Sequence, residues 1–573
     1  MSEPPKKLPS TQTGTDGSLP PGAGTDGALS IEQPLLVQGP DRIAWSEHCD
    51  VLVAGFGAAG AAAAIAAREA GAEVKLVDRF EGGGATGKSG GIVYAGGGTP
   101  HQLAAGYQDT PEAMFQYLRL ECGEAVSQPT LRKFCEDSRG LLAWLESIGA
   151  SFDPGEPRPK PPKTSYPKDG VFLYYSGNES ITGYAEAAPP APRGHRVKCK
   201  GQSGRKLFEL LRNRVEALGI QVQKHSAVRR LVVDANTGAV LGAEVWKLEP
   251  RSKAAREQMR LFRRSELWHN FNGERADRIR QRIVALERQH AQPVLVRARR
   301  GVMLTTGGFI FNREMVTRYA PKYLANLRLG TTGCEGSGIR LGQSVGGATA
   351  RLEKASAWRF INPPTPWVQG LVVNTRGERF CNEQSYGARL GVAMCEHQQG
   401  KAWLVLDARM RRAAFREAMF GGLWAFQKIP AMVLMLGAPR ADTLEGLAKK
   451  MGFDPISFVH TVEANNAAAR GVGADPQGKT APALQPLSHP PYYACDISAA
   501  SKTFPCPAIT LGGLRVEENT GQVLDHNGRA ITGLYAAGRA AVGVASNGYI
   551  SGLSIADCLW SGRRAGAHAA AAR

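Results

Sequence analysis

The strongest constraint on the fold is a glycine-rich turn that follows an apolar run near residue 50. Residues 50–54 predict a buried strand, residues 55–60 read Gly-Phe-Gly-Ala-Ala-Gly, and an alanine-rich helix follows. A second apolar run ends at Asp78, about twenty residues further on. The glycines permit a tight turn, close approach of a pyrophosphate and contact between helix and strand, and the acid accepts hydrogen bonds from a ribose. This context predicts a dinucleotide-binding βαβ unit rather than a glycine-rich turn without a ligand.

A second glycine-rich segment and the end of the chain identify the dinucleotide. Residues 82–91 read Gly-Gly-Gly-Ala-Thr-Gly-Lys-Ser-Gly-Gly, a length that a nicotinamide domain rarely needs but that suits the long ribityl chain and ring of FAD. Residues 533–539 predict a buried strand and a turn, and residues 546–554 predict a loop with hydroxyl side chains and the start of a helix. The free N–H groups of a helix start favour the negative charge of a reduced flavin. Both ends of the chain therefore predict an FAD site.

These motifs resemble those of the fumarate reductase and 3-ketosteroid dehydrogenase superfamily of FAD flavoproteins. Residues 226–233 resemble its adenine-binding segment, residues 302–309 its Ala-Thr-Gly-Gly strand end, and residues 336–340 its Gly-Asp-Gly segment, with Ser337 in place of Asp. The resemblance implies an α/β protein: a discontinuous, Rossmann-like FAD-binding domain of the glutathione reductase type, and a second, α+β catalytic or capping domain. Residues 82–98 contain no histidine. Since the succinate dehydrogenase branch attaches its flavin to a histidine near this loop, the resemblance implies non-covalent FAD.

Composition and resemblance together predict the domain boundaries. Residues 1–44 are rich in Pro, Gly, Ser and Thr and predict a disordered tail. The FAD-binding domain is expected at 45–345 and 486–573, with a basic insertion at 250–292, and the catalytic or capping domain at 346–485. Within the latter, strands are predicted at 371–374 and 403–407 and helices at 443–450 and 457–469.

The resemblance also assigns residues to the cofactor. Those expected to bind FAD match the family's motifs position by position, and they are Gly55, Gly57, Ala58, Ala59, Gly60, Asp78, Arg79, Ala85, Thr86, Ser89, Gly90, Gly91, Val228, Thr306, Gly307, Gly338, Gly538, Arg539, Gly552, Leu553 and Ser554. Tyr94 and Gly552 are expected to contact the substrate.

The narrower resemblance rests on two tyrosine-bearing segments. Residues 377–386 resemble the family's Arg-Phe-x-Asn-Glu segment and end at Tyr386, and the closing loop reads Tyr549-Ile-Ser551-Gly-Leu. This combination resembles the 3-ketosteroid Δ4-(5α)-dehydrogenases, whereas the Δ1-dehydrogenases have Tyr-Pro-Gly-Pro-Gly in the closing loop. The implied reaction introduces a C4–C5 double bond into a 5α-3-ketosteroid. The implied substrate is therefore a steroid, and the electron acceptor is not readable from the sequence.

The reaction suggests a role for each catalytic candidate. A 3-keto group acidifies the C4 proton, and hydrogen bonds to the ketone stabilise the developing enolate. Tyr549 and a backbone N–H such as that of Gly552 are expected to bind the ketone, while Ser551 accepts the C4 proton through a relay with Tyr386. Two alternatives stay open: Tyr549 and Ser551 exchange roles, or Tyr386 is a half-buried tyrosine at the domain interface.

The net positive charge raises two alternative functions, binding of nucleic acid and binding of an anionic membrane. The chain carries a formal charge of +19, and residues 250–300 supply about half of it. No helix-turn-helix, zinc-finger or RNA-module signature accompanies the charge, so no nucleic acid partner is expected. We interpret the insertion first as a solvated helical hairpin, and alternatively as a basic helix on an anionic membrane. Its interleaved apolar residues are Leu261, Phe262, Leu267, Trp268 and Phe271.

The remaining sequence features bound the class of protein. Ten scattered cysteines without metal-ligand spacing fit reduced thiols and predict no metal site. Residues 1–40 lack the apolar stretch of a secretory signal, and no uncharged apolar run is long enough to span a bilayer. We therefore expect a cytoplasmic enzyme, peripheral at the inner face of the membrane if the insertion binds lipid. The rival functions are a Δ1-ketosteroid dehydrogenase, a fumarate-reductase-type flavoprotein, and a non-enzymatic protein that binds a membrane or nucleic acid.

Overall fold

The computed structural model describes residue 28 and residues 31–152 and 170–572. The predicted tail lies largely outside these residues. The strands in chain order are β1 (Leu35–Val37), β2 (Glu47–Ala54), β3 (Val74–Val77), β4 (Ile92–Tyr94), β5 (Leu173–Tyr174), β6 (Gly194–Arg196), β7 (Gln221–Gln223), β8 (Ser226–Asp234), β9 (Val240–Lys247), β10 (Gln292–Leu304), β11 (Leu327–Arg328), β12 (Thr349–Ala350), β13 (Ala355–Ala357), β14 (Leu371–Val373), β15 (Trp403–Leu406), β16 (Arg440–Ala441), β17 (Tyr492–Asp496), β18 (Pro507–Thr510), β19 (Gly513–Leu514), β20 (Gln522–Leu524) and β21 (Ala530–Ala536).

The α-helices complete the architecture, and the predicted α/β fold class is confirmed. They are α1 (Ala58–Glu69), α2 (Pro100–Ala104), α3 (Pro111–Cys122), α4 (Gln128–Ser147), α5 (Thr182–Ala187), α6 (Gly204–Ala217), α7 (Lys253–Trp268), α8 (Gly273–His290), α9 (Arg313–Tyr319), α10 (Ser337–Ser344), α11 (Gly387–His397), α12 (Ala408–Phe420), α13 (Ala425–Leu436), α14 (Leu444–Met451), α15 (Pro455–Ala469) and α16 (Leu553–Ala571). Among the described helices, none carries an apolar stretch of the length that crossing a bilayer requires.

The main sheet brings the two ends of the chain together. Its order is β1-β8-β9-β10-β2-β3-β7, and β21 joins β10 with β20 beyond it. Strands β7, β3, β2, β10 and β21 run parallel, so their carboxyl ends meet at one edge of the sheet. The first half of β10 pairs with β9 and its second half pairs with β21, which places the C-terminal strand next to the N-terminal βαβ unit. Strand β1 pairs with β8, so residues 35–37 of the predicted tail are held by backbone hydrogen bonds.

Small residues hold the first and last helices against each other. An added Cβ at Gly562 would lie 2.4 Å from the carbonyl oxygen of Ala59, and one at Gly566 would lie 2.2 Å from that of Ala63. Helix α16 therefore packs directly on the backbone of α1, which is possible because alanine and glycine line both faces. This contact fixes the start of α16 close to the glycine-rich turn.

A second, four-stranded sheet lies in the segment between residues 371 and 496. Strands β14, β15, β17 and β16 are antiparallel in that order, and helices α11–α15 pack around them on a core of buried apolar side chains. The strand at 492–496 completes this sheet although it follows residue 485 in the chain.

The basic insertion is a helical hairpin, formed by α7 and α8. Leu261, Met259, Ile279 and Ile283 form its buried core together with Phe80, on which Phe262 stacks at 4.0 Å between ring centroids. Buried ion pairs tie the hairpin to the loop after β3, since Glu287 of α8 pairs with Arg79 at 2.9 Å. Glu335 joins the two sides as well, because it pairs with Arg79 at 2.8 Å and with Arg280 of α8 at 3.5 Å. Of the interleaved apolar residues, Leu267 and Phe271 are the two that are strongly exposed.

Candidate active site

A cavity of about 990 Å³ opens at the edge of the main sheet where the parallel strands end. Ala54, at the end of β2, and Val77, at the end of β3, line it, as do Thr305, directly after β10, and Arg539, shortly after β21. Ligands of open α/β sheets bind outside the carboxyl ends of the strands. The cavity therefore lies where the fold places a dinucleotide.

The three glycines of the first turn meet different demands. Gly55 has φ +106°, and a Cβ there would lie 2.8 Å from the carbonyl oxygen of Thr305. A Cβ at Gly60 would lie 1.9 Å from the carbonyl oxygen of Gly55. At Gly57 the nearest protein atom to an added Cβ is the Thr86 hydroxyl at 3.7 Å. The missing side chain of Gly57 therefore leaves free space in the cavity at the start of α1, as a pyrophosphate requires.

Asp78 organises the loop that follows β3. Its carboxylate accepts hydrogen bonds from the backbone N–H groups of Phe56, Phe80 and Gly82 at 2.8, 2.8 and 3.2 Å. Asp78 lines the cavity, and a carboxylate has about four lone-pair sites, so it retains acceptor capacity for a ribose. Arg79 also lines the cavity, but its guanidinium is held by Glu287 and Glu335. These ion pairs raise the pKa of Arg79 in spite of its burial.

The second glycine-rich segment forms a hydroxyl-bearing wall. Ala85, Thr86, Ser89 and Gly90 all line the cavity. The Thr86 hydroxyl accepts a hydrogen bond from the N–H of Ala58 at 3.0 Å, which ties this wall to the first turn of α1. The Ser89 hydroxyl donates to the carbonyl oxygen of Thr86 at 2.7 Å. The two glycine-rich segments thus form one continuous cradle.

Arg539 supplies the clearest sign of a bound polar group. Its side chain lines the cavity, and its Nη1 is buried without a hydrogen-bond partner among the described residues. A buried guanidinium nitrogen without a partner costs free energy unless a ligand accepts its hydrogen bond. The acceptor-rich ring of a flavin fits this donor, and Thr306 and Gly307 line the adjoining wall.

Six of the predicted residues lie behind the cavity wall rather than in it. Gly60, Gly91, Gly338, Gly538, Leu553 and Tyr94 do not line the cavity. The glycines permit close backbone packing: a Cβ at Gly91 would lie 2.3 Å from the carbonyl carbon of Ser203, and one at Gly338 would lie 2.6 Å from the Thr306 hydroxyl. Tyr94 is fully buried behind Gly552, whose carbonyl oxygen accepts from its N–H at 3.2 Å. The other predicted residues, including Val228, line the cavity.

Gly552 begins α16 with a left-handed backbone conformation. It has φ +90°, and an added Cβ would lie 2.8 Å from the backbone nitrogen of Tyr94. Glycine is therefore required there by packing against β4, and the turn delivers Ser551, Ser554 and Ile555 to the cavity. The helix start faces the cavity with its positive dipole end, which favours negative charge.

The catalytic candidates meet at an aromatic end of the cavity. Tyr549, Ser551 and Tyr386 all line it, although 163 positions separate the two tyrosines in the chain. The Tyr549 ring lies 4.7 Å from the Trp358 ring, and the Tyr386 ring makes an edge contact with Phe360 at 5.1 Å. These contacts fix both tyrosine rings in a wall suited to a flat apolar molecule.

Tyr174 is the residue that sequence reasoning missed. Its hydroxyl is hydrogen-bonded to the Ser551 hydroxyl at 2.8 Å, and both residues line the cavity. The same segment supplies Ser176, whose carbonyl oxygen accepts from the N–H of Ser551 at 2.9 Å, and Asn178, whose side chain accepts from the N–H of Tyr386 at 2.8 Å. Residues 174–178 therefore anchor the backbones of both Ser551 and Tyr386. No motif marks this segment in the sequence.

A buried acid lies behind that segment. Glu179 accepts a hydrogen bond from the N–H of Gly177 at 2.9 Å. Burial raises the pKa of Glu179 to about 7, which leaves this carboxyl poised between its two protonation states near neutral pH. Burial also raises the pKa of Tyr94 well above its ordinary value.

The helical hairpin adds a wall that the sequence did not predict. Phe262, His269, Asn270 and Phe271 line the cavity. Below them, Glu266 accepts a hydrogen bond from the N–H of Thr332 at 2.6 Å and forms an ion pair with Lys88. The insertion is thus docked on the cofactor cradle and contributes to its wall.

Comparisons with known proteins agree with this geometry. The family of FAD binding domains matches residues 50–555. The chain is 42% identical over 525 residues to the 3-oxo-5-alpha-steroid 4-dehydrogenase of Comamonas testosteroni, covering 89% of this chain and 96% of that protein. It is 28% identical over 609 residues to a 3-oxosteroid 1-dehydrogenase of Mycobacterium tuberculosis, covering 89% of this chain and 99% of that protein.

A solved structure gives the same result. The crystal structure of 3-ketosteroid-delta4-(5alpha)-dehydrogenase from Rhodococcus jostii RHA1, in complex with 4-androstene-3,17-dione, superposes with a TM-score of 0.76 at 30% identity. The match covers 94% of this chain and 100% of that chain.

Proposed function

The chain belongs to the family of FAD-binding-domain flavoproteins, and we propose that it is an oxidoreductase that introduces a C4–C5 double bond into 5α-3-ketosteroids. The observation that carries this proposal is the hydroxyl cluster of Tyr549, Ser551, Tyr386 and Tyr174 at the aromatic end of the FAD cavity. Bound FAD supplies the two-electron acceptor for the hydrogen at C5. The protein supplies the groups that hold the ketone and remove the C4 proton.

Ketone binding is assigned to Tyr549. The Tyr549 ring packs against Trp358 and lines the cavity. Its phenol hydroxyl is the hydrogen-bond donor to the ketone. A hydrogen bond to the 3-keto oxygen strengthens as the enolate forms, which lowers the barrier by roughly 3 kcal/mol per donor. The backbone N–H of Gly552, at the positive end of α16, is the second donor.

Proton removal is assigned to Ser551. A serine hydroxyl is a weak base alone, so it must pass its own proton on as it accepts the one from C4. The Tyr174 hydroxyl at 2.8 Å would receive the serine proton and in turn release its own proton to water, and Tyr386 lies in the same wall. We therefore propose two routes for the proton of Ser551, one through Tyr174 and one through Tyr386. Tyr174→Phe and Tyr386→Phe, made one at a time, distinguish the two routes.

Cofactor binding is assigned to the residues that line the cradle. Gly57 and the start of α1 would hold the pyrophosphate, Asp78 the ribose, Val228 the adenine and Arg539 the flavin ring. Non-covalent attachment is part of this proposal. The lining supports it, since among the described residues His269 is the one histidine that borders the cavity, and it lies on the hairpin rather than on the second glycine-rich segment. Acid precipitation with release of all flavin into the supernatant is the expected result.

We also propose the domain division that the sequence suggested. Residues 45–345 and 486–573 would form the FAD-binding domain, and residues 346–485 the capping domain, with residues 492–496 completing its sheet. Peripheral membrane contact through residues 250–292 remains a prediction. It now depends on Leu267 and Phe271, the strongly exposed apolar residues of the hairpin.

A substrate comparison tests the reaction. The purified yellow protein is assayed with an artificial electron dye and, in turn, a 5α-3-ketosteroid, a 4-ene-3-ketosteroid and succinate. Dye reduction with the first substrate alone is expected. Preference for the 4-ene-3-ketosteroid would assign the chain to Δ1 chemistry, and preference for succinate would assign it to fumarate-type chemistry.

A further inference from the structure

An apolar stripe runs along the exposed face of α13. Ile429, Val433 and Leu436 recur at the spacing of one helix face, and Ile429 and Leu436 are 60% and 65% exposed. Phe420, at the end of the preceding helix α12, is 80% exposed. We call these four residues the apolar stripe. Scattered exposed apolar residues are ordinary, whereas four on consecutive helical segments mark an interaction surface.

A basic pocket adjoins one end of the stripe. A cavity of about 480 Å³ is bordered by Leu436 of the stripe and by the side chains of Arg411, Arg440 and Lys450. Arg411 is held in place there, because it donates to the carbonyl oxygen of Met435 at 3.1 Å and lies over the Tyr493 ring at 4.6 Å. In the part of the chain that the structure describes, no carboxylate pairs with any of these three cations. The pocket therefore presents uncompensated positive charge beside exposed apolar surface.

The surrounding segment has the same sign of charge. Residues 408–450 carry eight basic and three acidic side chains. A surface that combines a protruding apolar helix face with flanking cations has the chemistry of a lipid interface, where apolar residues enter the acyl region and cations meet anionic headgroups. A second copy of this chain would bring the same cations face to face, which favours a membrane over a homodimer.

The stripe is also continuous with the substrate cavity. Trp424 and Gln427, at the start of α13, line the aromatic cavity, while the stripe occupies the rest of that helix. A steroid is itself apolar and dissolves in the acyl region of a bilayer. A helix with one end in the cavity wall and its outer face on a membrane would place the cavity close to that reservoir.

We propose that α12 and α13 form a docking surface for an anionic lipid bilayer, with Arg411, Arg440 and Lys450 receiving a lipid phosphate and the apolar stripe entering the acyl region. When the protein is docked, its substrate cavity lies close to steroid dissolved in the bilayer. The docking depends only on the exposed residues of α12 and α13, whereas substrate delivery also depends on the proposed function.

Vesicle co-sedimentation of the flavin-loaded full chain tests the docking. The vesicles contain equal parts of phosphatidylglycerol and phosphatidylcholine, or phosphatidylcholine alone. We expect Ile429→Ser/Leu436→Ser to weaken binding to anionic vesicles by about tenfold or more, because two exposed anchors are lost. The matched control is Ile456→Ser/Val472→Ser, which replaces two even more exposed apolar residues away from the stripe and is expected to bind like the wild type.

The basic pocket has its own variant. Arg440→Gln/Lys450→Gln is expected to lose affinity for anionic vesicles and to leave the weak binding to phosphatidylcholine unchanged. Equal binding of the wild type and both variants would overturn the proposal. A wild-type dimer in solution that the stripe variant converts to a monomer, with no vesicle binding by either, would overturn it in favour of a second copy. Retained flavin absorbance verifies folding of each variant.

Substrate delivery is measured separately. With a 5α-3-ketosteroid loaded in anionic vesicles, the stripe variant is expected to turn over several-fold more slowly than the wild type. With the same steroid carried by a cyclodextrin, the two are expected to be equal. Equal rates in both formats would refute delivery. Failure of the proposed function would look different: no turnover in cyclodextrin by any variant, with vesicle binding intact.

Discussion

Replacing Ser551 with alanine removes the hydroxyl that the proton relay requires while leaving its loop in place. The backbone N–H of Ser551 donates to the carbonyl oxygen of Ser176 at 2.9 Å, and that hydrogen bond does not involve the side chain. The lost contact is the 2.8 Å hydrogen bond to Tyr174, worth about 1 kcal/mol of folding stability. Loss of a positioned acid–base group instead lowers turnover about 10²–10⁴-fold, or about 3–5 kcal/mol of barrier. Catalysis should therefore fall far more than stability.

A double-mutant cycle tests whether Ser551 and Tyr174 act as one relay. If the proton passes from one hydroxyl to the other, Tyr174→Phe removes the receiver and the double variant is hardly slower than Ser551→Ala alone. Tyr174→Phe keeps the ring that fills its buried position, so packing is preserved. Tyr386→Phe, analysed in the same way, shows which tyrosine branch carries the proton.

The assay is dye-coupled turnover of a 5α-3-ketosteroid, with flavin content and unfolding temperature measured for each variant. Multiplicative losses in the double variant would show that the two hydroxyls act independently and would refute the relay. Wild-type turnover of Ser551→Ala would remove Ser551 from the mechanism altogether. Unchanged exchange of the C4 hydrogen with solvent in that variant would have the same meaning.

Three further predictions concern other parts of the molecule. Tyr549→Phe keeps the ring against Trp358 but loses the ketone donor, so kcat should fall about 10²–10³-fold with FAD retained; an unchanged kcat would exclude this donor. Glu287→Gln breaks a buried ion pair with Arg79, so it should lower the free energy of unfolding by about 3–5 kcal/mol and speed FAD release. Glu81→Gln loses only an exposed ion pair with Arg263 and should change neither quantity. Equal behaviour of the two variants would contradict this prediction. Because burial raises the pKa of Glu179 to about 7 from 4.5, the folded state keeps this proton longer than the unfolded state. Its contribution to stability is therefore complete below about pH 4.5 and falls by about 3 kcal/mol as the pH rises through 7. Between about pH 4 and about pH 8, urea unfolding should show a loss of stability that is smaller by about 3 kcal/mol in Glu179→Gln than in the wild type.

Elements of both halves of the fold could be predicted because their demands are local. Residues 50–60 predict β2, the turn and the start of α1, and all three appear in that order. Predicted strands at 371–374 and 403–407 correspond to β14 and β15. In each case a short run of residues carries both the periodicity and the turn chemistry, so no distant contact is needed to recognise it.

Several predicted cofactor glycines show where local reasoning ends. The motif marks Gly91 and Gly338 as glycines near FAD, but it does not separate a glycine that faces the ligand from one that packs against backbone. Gly552 lines the cavity, and packing against β4 also requires a glycine there. Only the position of the missing Cβ in three dimensions distinguishes these cases.

Tyr174 and the hairpin depend on contacts between distant parts of the chain. Tyr174 lies 377 positions before Ser551 and carries no motif, so its role emerges only when β5 is placed beside the closing loop. The charge pattern of residues 250–292 predicts a helical hairpin, which the structure contains, but it does not reveal that Glu287 pairs with Arg79 on the cofactor cradle. Such pairs between distant residues leave no periodic signal.

The position of the new double bond tests the account most directly. The flavin-loaded protein is incubated with a 5α-3-ketosteroid labelled with deuterium at C4 and C5, and the product is analysed by mass spectrometry and NMR. We predict a 4-ene-3-ketone that has lost the C5 deuterium and one C4 deuterium. A product unsaturated between C1 and C2 with both labels intact, or no product from a fully flavin-loaded protein, would contradict the assignment.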